Sequence, residues 1–305
     1  ETDNLPAFVV MTSSDKGKTC GQLFFDYYWG NGFLPSKLQG VRFRNSGDLV
    51  PYLANPAGVS PTARRALLDE ISELNARHLV DVGDPEIDTR IAQYEMAFKM
   101  QIAVPDVMSI ADEPAYIHEM YGTKPGESCF ANNVLLARKL VEKGVRFVQL
   151  FDWGWDTHGD SAGNAVDIGL KNKCRKIDRP ITALLQDLKQ RGLLDETLVV
   201  WGSEFGRTPM QENRDGKTMP FKGRDHHGEA FSMWMAGGGI KGGTTYGETD
   251  EIGYNIVSGK VETFDVQATI LNQLGFDHEK FTYESQGRNF RLTDLSGKVI
   301  HDIIA

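Results

Sequence analysis

Residues 145–160 constrain the fold of this chain more than any other stretch, because an apolar segment there leads directly into a polar loop. Four apolar residues, Phe147, Val148, Leu150 and Phe151, lie between Gly144 and Gly154, which is typical of a buried strand. The loop that follows carries Asp156 and His158. In open α/β sheets, ligands bind beyond the carboxyl ends of the strands, so this pair is a candidate for metal binding. An Asp-x-His triplet is also common in hydrogen-bonded turns, and the pair alone leaves both interpretations open.

Length and charge narrow the classes of function. At 305 residues the chain can bury a large core, and we expect a single domain over residues 1–305. The 33 Lys and Arg against 42 Asp and Glu give a net charge of -9, which argues against nucleic acid as a partner. No membrane span is expected, because no run of about 18 apolar residues occurs. The 3 cysteines are far apart, so neither a disulfide scaffold nor a thiolate zinc site is indicated.

A helical layer or insertion is predicted over residues 60–125. Ser60 and Pro61 suit the start of a helix, and a second helix is expected from about residue 86 to residue 103. Three methionines in this region are expected to fill the core rather than to form a cofactor site: Met96, Met100 and Met108. The apolar face predicted for the first helix comprises Ala63, Leu67, Ile71 and Leu74.

Helices and strands then alternate, which predicts an α/β fold. A helix at 131–142 precedes the strand that begins at Val145, and a long helix ending near Gly192 precedes a second strand at 197–201. The C-terminal part is expected to contain a glycine-rich hairpin at 237–246, a helix at 263–274 and a final ribbon at 297–300.

Potential metal ligands recur at or beside predicted strand ends. They are Asp156, His158, Glu204, Asp225, His226 and His227. Mixed imidazole and carboxylate ligands suit a divalent ion, with Zn preferred and Mn, Ca or Mg as alternatives, and six ligands can hold two ions. Arg207 and Arg224 flank these motifs, where they can bind a phosphate or sulfate group or form salt bridges with the same acids.

Two further motifs have ordinary explanations. Residues 237–242 match G-x-G-x-x-G, but no apolar helical face follows them, so we predict a turn rather than a dinucleotide site. Ser13 and Ser14 follow the first predicted strand and suit a turn, although a serine there can also act as a nucleophile.

The strand-end motifs resemble the bacterial family called domain of unknown function 1501, a member of the alkaline phosphatase and sulfatase superfamily. The resemblance extends from about Leu5 to the C-terminus. Its central motifs are Trp155-Asp156-Thr157-His158-Gly159, Glu204-Phe205-Gly206-Arg207-Thr208-Pro209 and Gly223-Arg224-Asp225-His226.

The resemblance implies an alkaline-phosphatase-like, three-layer α/β/α sandwich with metal ions at the carboxyl end of its sheet. It implies that Asp156, His158 and His226 hold one ion. A second ion in the superfamily usually takes an Asp-His pair, and this chain has Glu204-Phe205 there instead. The family's first strand and helix units, another acidic ligand and the nucleophilic Ser or Thr are expected upstream, so the chain is expected to correspond to the C-terminal two thirds. The family also implies a periplasmic or cell-envelope location.

Two functions follow from these expectations. The first is a metal-dependent hydrolase whose substrate is a small phosphate or sulfate ester. The second is a non-catalytic, phosphatase-like module that serves assembly or ligand binding, with another protein or the upstream segment as its partner. Phe205 and the absence of an assigned catalytic nucleophile motivate the second hypothesis.

Overall fold

A computed structural model describes residues 2–13, 26–44, 49–50, 53–203 and 205–305. It contains both helices and strands, which confirms the mixed α/β class. The three-layer arrangement stays a prediction. None of the helices that the structure describes combines the length and the hydropathy required to span a bilayer.

Six α-helices lie within the described ranges. They are α1 (Pro61–Val82), α2 (Pro85–Met108), α3 (Ala115–Tyr121), α4 (Phe130–Glu142), α5 (Gly169–Gln190) and α6 (Thr263–Gln273). The predicted start of the first helix is confirmed, because the Ser60 side chain accepts a hydrogen bond from the Ala63 N–H and Pro61 occupies the first turn.

The strands of the described ranges are mostly short. They are β1 (Phe8–Ser13), β2 (Val41–Phe43), β3 (Phe147–Asp152), β4 (Val199–Trp201), β5 (Gly206–Arg207), β6 (Asn213–Arg214), β7 (Lys217–Thr218), β8 (His226–His227), β9 (Trp234–Ala236), β10 (Glu248–Thr249), β11 (Ile256–Ser258), β12 (Thr282–Ser285) and β13 (Arg288–Arg291). Strands β2, β1 and β3 form a parallel sheet in that order, and the other strands form antiparallel pairs.

The chain divides into two compact units. The first comprises residues 1–153 and 176–184, and the second comprises residues 154–175 and 185–305. The expectation of one domain over residues 1–305 stays a prediction. In the first unit, the apolar core packs β1 against α2, α3 and α4, and parallel strands require such helical crossovers.

The methionine prediction is confirmed: Met100 and Met108 are buried, and Met96 packs against the same core. The apolar face predicted for α1 is wrong. Leu67 and Leu74 are 48% and 62% exposed, whereas Leu68 is 1% exposed. The cause is tertiary packing, because α1 contacts α2 through a face on which Arg65 pairs with Glu95.

The structure decides two predictions about the C-terminal part, a turn at 237–242 and a ribbon at 297–300. Gly237, Gly238 and Gly239 all have positive φ, and the next helix of the described chain begins only at Thr263, so the turn interpretation of residues 237–242 is confirmed. The ribbon expected at 297–300 is wrong, because the ribbon before the C-terminus is β12–β13, which closes through residues 286–287.

Ser13, at the end of β1, is one of the two serines that the sequence analysis considered as a turn residue or a nucleophile. Ser13 is buried and pairs in register with Asp152 of β3. Its hydroxyl hydrogen-bonds with the Asp152 carboxylate and also approaches the Phe151 carbonyl oxygen. Ser14 lies outside the described residues.

Candidate metal centre

The imidazoles of His158 and His226, both predicted as candidate ligands, lie next to the same oxygen of Asp156. The Asp156 Oδ1 atom lies 2.8 Å from His158 Nε2 and 2.9 Å from His226 Nε2. One ligand atom from each of the three residues lies within 4.8 Å of the other two. His158 is buried, Asp156 is half-buried and His226 is exposed. The group therefore has an interior side and a side that solvent reaches.

Arg207 reaches the same oxygen of Asp156. Its Nη2 atom is 2.6 Å from Asp156 Oδ1, and its Nη1 atom donates to the Arg224 carbonyl oxygen at 3.2 Å. The Arg224 guanidinium donates to the Thr208 carbonyl oxygen at 3.2 Å. Arg207 thus forms a salt bridge with one of the candidate acids, which was the alternative to anion binding. The Arg224 side chain instead binds a backbone carbonyl oxygen.

The pairing of β5 with β8 explains which side chains arrive at the centre. Arg207 lies opposite His226 in this antiparallel pair, and directly opposite residues share a face. Both side chains therefore reach Asp156. His227 follows His226 along the strand and takes the other face. Its Nε2–H donates to the Tyr254 carbonyl oxygen at 2.7 Å, so the structure does not bring His227 to this group.

Two glycines let the loop of His158 approach the loop before β8. A Cβ atom on Gly159 would lie 2.4 Å from the Phe221 carbonyl oxygen, and one on Gly223 would lie 1.8 Å from the His158 carbonyl oxygen. Only glycine permits backbones this close. The Phe221 N–H donates to the Gly159 carbonyl oxygen at 3.0 Å, which fixes the two loops to each other.

Buried Asn164 completes the frame around His158. Its side-chain oxygen accepts hydrogen bonds from the His158 and Gly159 N–H groups. The loop therefore has its donors satisfied inside the protein, as buried backbone groups require.

Glu212 is a part of the site that the sequence interpretation did not include. Its Oε2 atom lies 2.6 Å from His158 Nδ1, and its Oε1 atom lies 2.6 Å from the Nε of Arg214. The hydrogen bond to Glu212 raises the pKa of the Arg214 guanidinium. The carboxylate is therefore shared between an imidazole and a permanent cation.

The sequence does contain a signal for the segment that carries Glu212. Residues 210–223 are polar and contain glycine, a composition typical of a loop, but β6 and β7 form a hairpin there, closed by Asp215 and Gly216. Both residues have positive φ, and Asp-Gly is a preferred pair for a two-residue hairpin turn.

The remaining candidates lie at the edge of the group or outside the described chain. Asp225 is exposed, and its Oδ1 atom accepts the His226 N–H at 2.7 Å. It also belongs to a second trio of potential ligands with His158 and Glu212. Glu204 lies outside the described residues. The Phe205 ring centroid is 4.6 Å from that of His226, so an aromatic ring packs against this ligand.

A family model described as a protein of unknown function, DUF1501, matches residues 1–304. The chain belongs to this family. The family named from the motifs is thus confirmed over nearly the whole sequence. No curated protein matches this DUF1501 chain, and no solved structure matches it either.

Proposed function

We propose that this DUF1501 chain is a metal-dependent hydrolase of phosphate or sulfate esters, with a divalent ion held by Asp156, His158 and His226. The observation that carries the proposal is the convergence of one carboxylate oxygen and two imidazole nitrogens within 4.8 Å. Three protein ligands of this mixture are typical of catalytic zinc sites, which leave a position for substrate.

The surroundings of His158 favour a cation at this place. Both of its ring nitrogens face carboxylate oxygens, at 2.8 Å and 2.6 Å. A neutral imidazole has one N–H, so it can donate to only one of these carboxylates. The second approach is favourable when a bound cation lies next to both groups. His226 brings a second imidazole to the same oxygen.

The donor set also selects among metals. Two imidazoles and one carboxylate suit Zn and Mn better than Mg or Ca, which prefer ligand sets made of oxygen alone. Such an ion would supply a Lewis acid that polarises an ester oxygen. Glu212 and Asp225, which form the second trio with His158, extend the group of potential ligands.

The arginines give the proposal its substrate class. Arg207 places a guanidinium at the Asp156 carboxylate, and guanidinium groups bind phosphate and sulfate oxygens through paired N–H donors. Arg224 lies beside it and holds the Thr208 carbonyl oxygen. We assign anion binding to Arg207 first, because its donor already lies at the centre. The nucleophile is not assigned to a residue of this chain.

The proposal also includes the fold and the location that the superfamily resemblance implies. We infer an alkaline-phosphatase-like, three-layer sandwich of which the parallel β2-β1-β3 sheet is one part, and a periplasmic or cell-envelope location. The parallel sheet supports this inference, because parallel strands occur almost only with helices on both faces.

A non-catalytic, phosphatase-like module is the second candidate. Phe205 favours it, because a phenyl ring stands where the superfamily usually has a metal-binding imidazole. Such a module would keep the first ion as a structural group and bind a protein partner.

The test is hydrolysis of an aryl phosphate and an aryl sulfate by the purified chain, after chelation and after reloading with zinc. The variant His226→Ala removes a ligand, and His227→Ala is its matched control because the neighbouring imidazole binds Tyr254. The proposal predicts zinc-dependent turnover that His226→Ala abolishes and His227→Ala retains. Bound zinc without turnover of either ester would favour the module. No zinc above background would overturn both.

A further inference from the structure

A buried carboxylate lies behind the candidate metal ligand His158. The side chains of His158 and Glu212 are 11% and 4% exposed, and they meet at 2.6 Å through Nδ1 and Oε2. Neither residue type is commonly buried without a partner. The contact joins positions that are 54 residues apart in the chain, so it is a product of the fold rather than of local sequence.

We infer that Glu212 is a positioning residue that fixes the tautomer and the rotation of the His158 ring. An ionised carboxylate only accepts hydrogen bonds, so the proton of the contact must lie on Nδ1. With Nδ1 held by Glu212, Nε2 is the ring nitrogen that faces Asp156 and His226, where it would be available to an ion bound by these three residues. Metal-binding histidines commonly donate their other N–H to a carboxylate in this way, which orients the ring and raises its basicity.

Arg214 holds the second oxygen of Glu212. Its Nε atom lies 2.6 Å from Oε1, and Glu212 is nearly inaccessible to water. The ion pair therefore fixes the position of the carboxylate, with its other oxygen facing His158.

The β6–β7 hairpin sets the position of both residues. Glu212 directly precedes β6, and its N–H donates to the Gly223 carbonyl oxygen at 2.9 Å. Arg214 ends β6, immediately before the two-residue turn. The carboxylate and its cation thus belong to one short, hydrogen-bonded element.

A second metal site at His158 Nδ1 is the competing explanation, because Glu212, His158 and Asp225 also form a trio within 4.8 Å. Two contacts argue against it. Arg214 already supplies positive charge to Glu212, and Asp225 Oδ1 is used by the His226 N–H. The geometry therefore assigns Glu212 to His158 rather than to an ion of its own.

The effect on metal binding rests on the proposed function, whereas the effect on the ring does not. The test accordingly has two readouts. The first is the tautomer of His158 in metal-free protein, read from long-range ¹⁵N–¹H correlations of its ring. The second is the zinc dissociation constant, measured by competition with a chelator, together with the number of zinc ions bound per chain.

The variant Glu212→Gln keeps the shape of the side chain and removes its charge. We expect it to lower the population of the Nδ1–H tautomer and to weaken zinc binding by about 10- to 100-fold, as is usual for residues behind a metal ligand. Arg214→Gln leaves the carboxylate in place and should shift both readouts in the same direction by less. Glu73→Gln is the matched control, because it removes an exposed carboxylate paired with Arg77 and should change neither readout.

The outcomes separate the two claims. If the wild-type chain binds no zinc but Glu212→Gln still shifts the tautomer, the proposed function fails and the positioning role stands. If zinc binds to the wild type and Glu212→Gln changes neither readout, the positioning role is overturned and the function stands. Two zinc ions per chain, falling to one in Glu212→Gln, would support the second metal site instead. Should Glu212→Gln fail to fold, Arg214→Gln must shift both readouts, or the inference is wrong.

Discussion

Two groups of charged and polar side chains in this molecule differ in the way their carboxylates are paired. In the first unit, Arg138 of α4 is 2% exposed and binds Glu113 at 2.7 Å and Glu142 at 2.6 Å. In the second unit, one oxygen of Asp156 faces His158, His226 and Arg207. In the first group, one guanidinium binds two carboxylates. In the second group, nitrogen atoms of three side chains lie around one carboxylate oxygen.

The contrast suggests that the identity of the side chains distinguishes a structural group from a candidate metal-binding group. A guanidinium cannot bind a metal ion, so the Arg138 group is closed to ligands. Two imidazoles and a carboxylate can bind one. Arg138 and Glu142 are also four residues apart on one helix, whereas Asp156 and His226 are brought together from distant loops.

The largest effect should come from removing the buried cation of the structural group. Arg138→Met removes the buried guanidinium and leaves the half-buried Glu113 with only Lys139, at 3.8 Å, so we expect the free energy of unfolding to fall by about 3 kcal/mol. Urea denaturation measures this. Arg77→Met, at an exposed ion pair, is the control and should change it by less than about 0.5 kcal/mol. A loss below about 1 kcal/mol for Arg138→Met would mean that this group does not stabilise the fold.

The next effect concerns the binding group. Asp156→Asn weakens the shared ligand, and we expect zinc affinity to fall by more than the roughly 100-fold limit usual for outer residues. Titration against a chelator measures the dissociation constant. Asp225→Asn, an exposed neighbour, should cost less than about tenfold, since its oxygen serves the His226 N–H. Equal losses in both variants would contradict the assignment of Asp156 as the central ligand.

A smaller effect, with the opposite sign, is expected at Arg207. Its guanidinium occupies the oxygen that zinc would take, so Arg207→Gln should tighten zinc binding by up to about fivefold, the scale of a partly exposed ion pair. The same variant should lose binding of inorganic phosphate to the zinc-loaded chain. Calorimetry measures both. Arg224→Gln should leave zinc affinity unchanged, and weaker zinc binding in Arg207→Gln would show that Arg207 supports the centre instead of competing for it.

The smallest effect should arise at the half-exposed pair of Arg65 and Glu95, which resembles neither group. The hydrogen bond from Arg65 lowers the pKa of Glu95. The stabilisation is therefore complete above the ordinary glutamate pKa of about 4.3 and is lost as the pH falls through the lower folded pKa. Glu95→Gln should melt about one degree below the wild type at pH 7, and this difference should shrink as the pH falls below about 4. A difference that stays constant as the pH falls would rule out the charge as its source.

The sequence predicted candidate site residues where local pattern sufficed, and it missed one residue whose place depends on a distant contact. Asp156, His158 and His226 follow from ligand-type residues placed around strands. His227 points away because the register of β8 with β5 sends neighbouring side chains to opposite faces. Glu212 requires knowledge of a contact across 54 residues. The Asp215-Gly216 pair predicts the hairpin, but it does not predict which residues the hairpin contacts.

Helix α1 shows the same limit of prediction from the sequence. The cap at Ser60 is local, and the start of α1 was predicted correctly. The side of α1 that packs is set by α2, and there the pattern of Leu67 and Leu74 gave the wrong face. The register of β1 with β3 likewise brings Ser13 beside Asp152, a pairing that neither strand specifies alone.

The most direct test of the metal centre is an anomalous difference map, recorded at the zinc absorption edge from a crystal soaked with zinc. The account predicts one strong peak about 2.0–2.2 Å from Asp156 Oδ1, His158 Nε2 and His226 Nε2. A map with no peak beside these three atoms at saturating zinc would contradict it, as would a single peak beside His158 Nδ1 and Glu212.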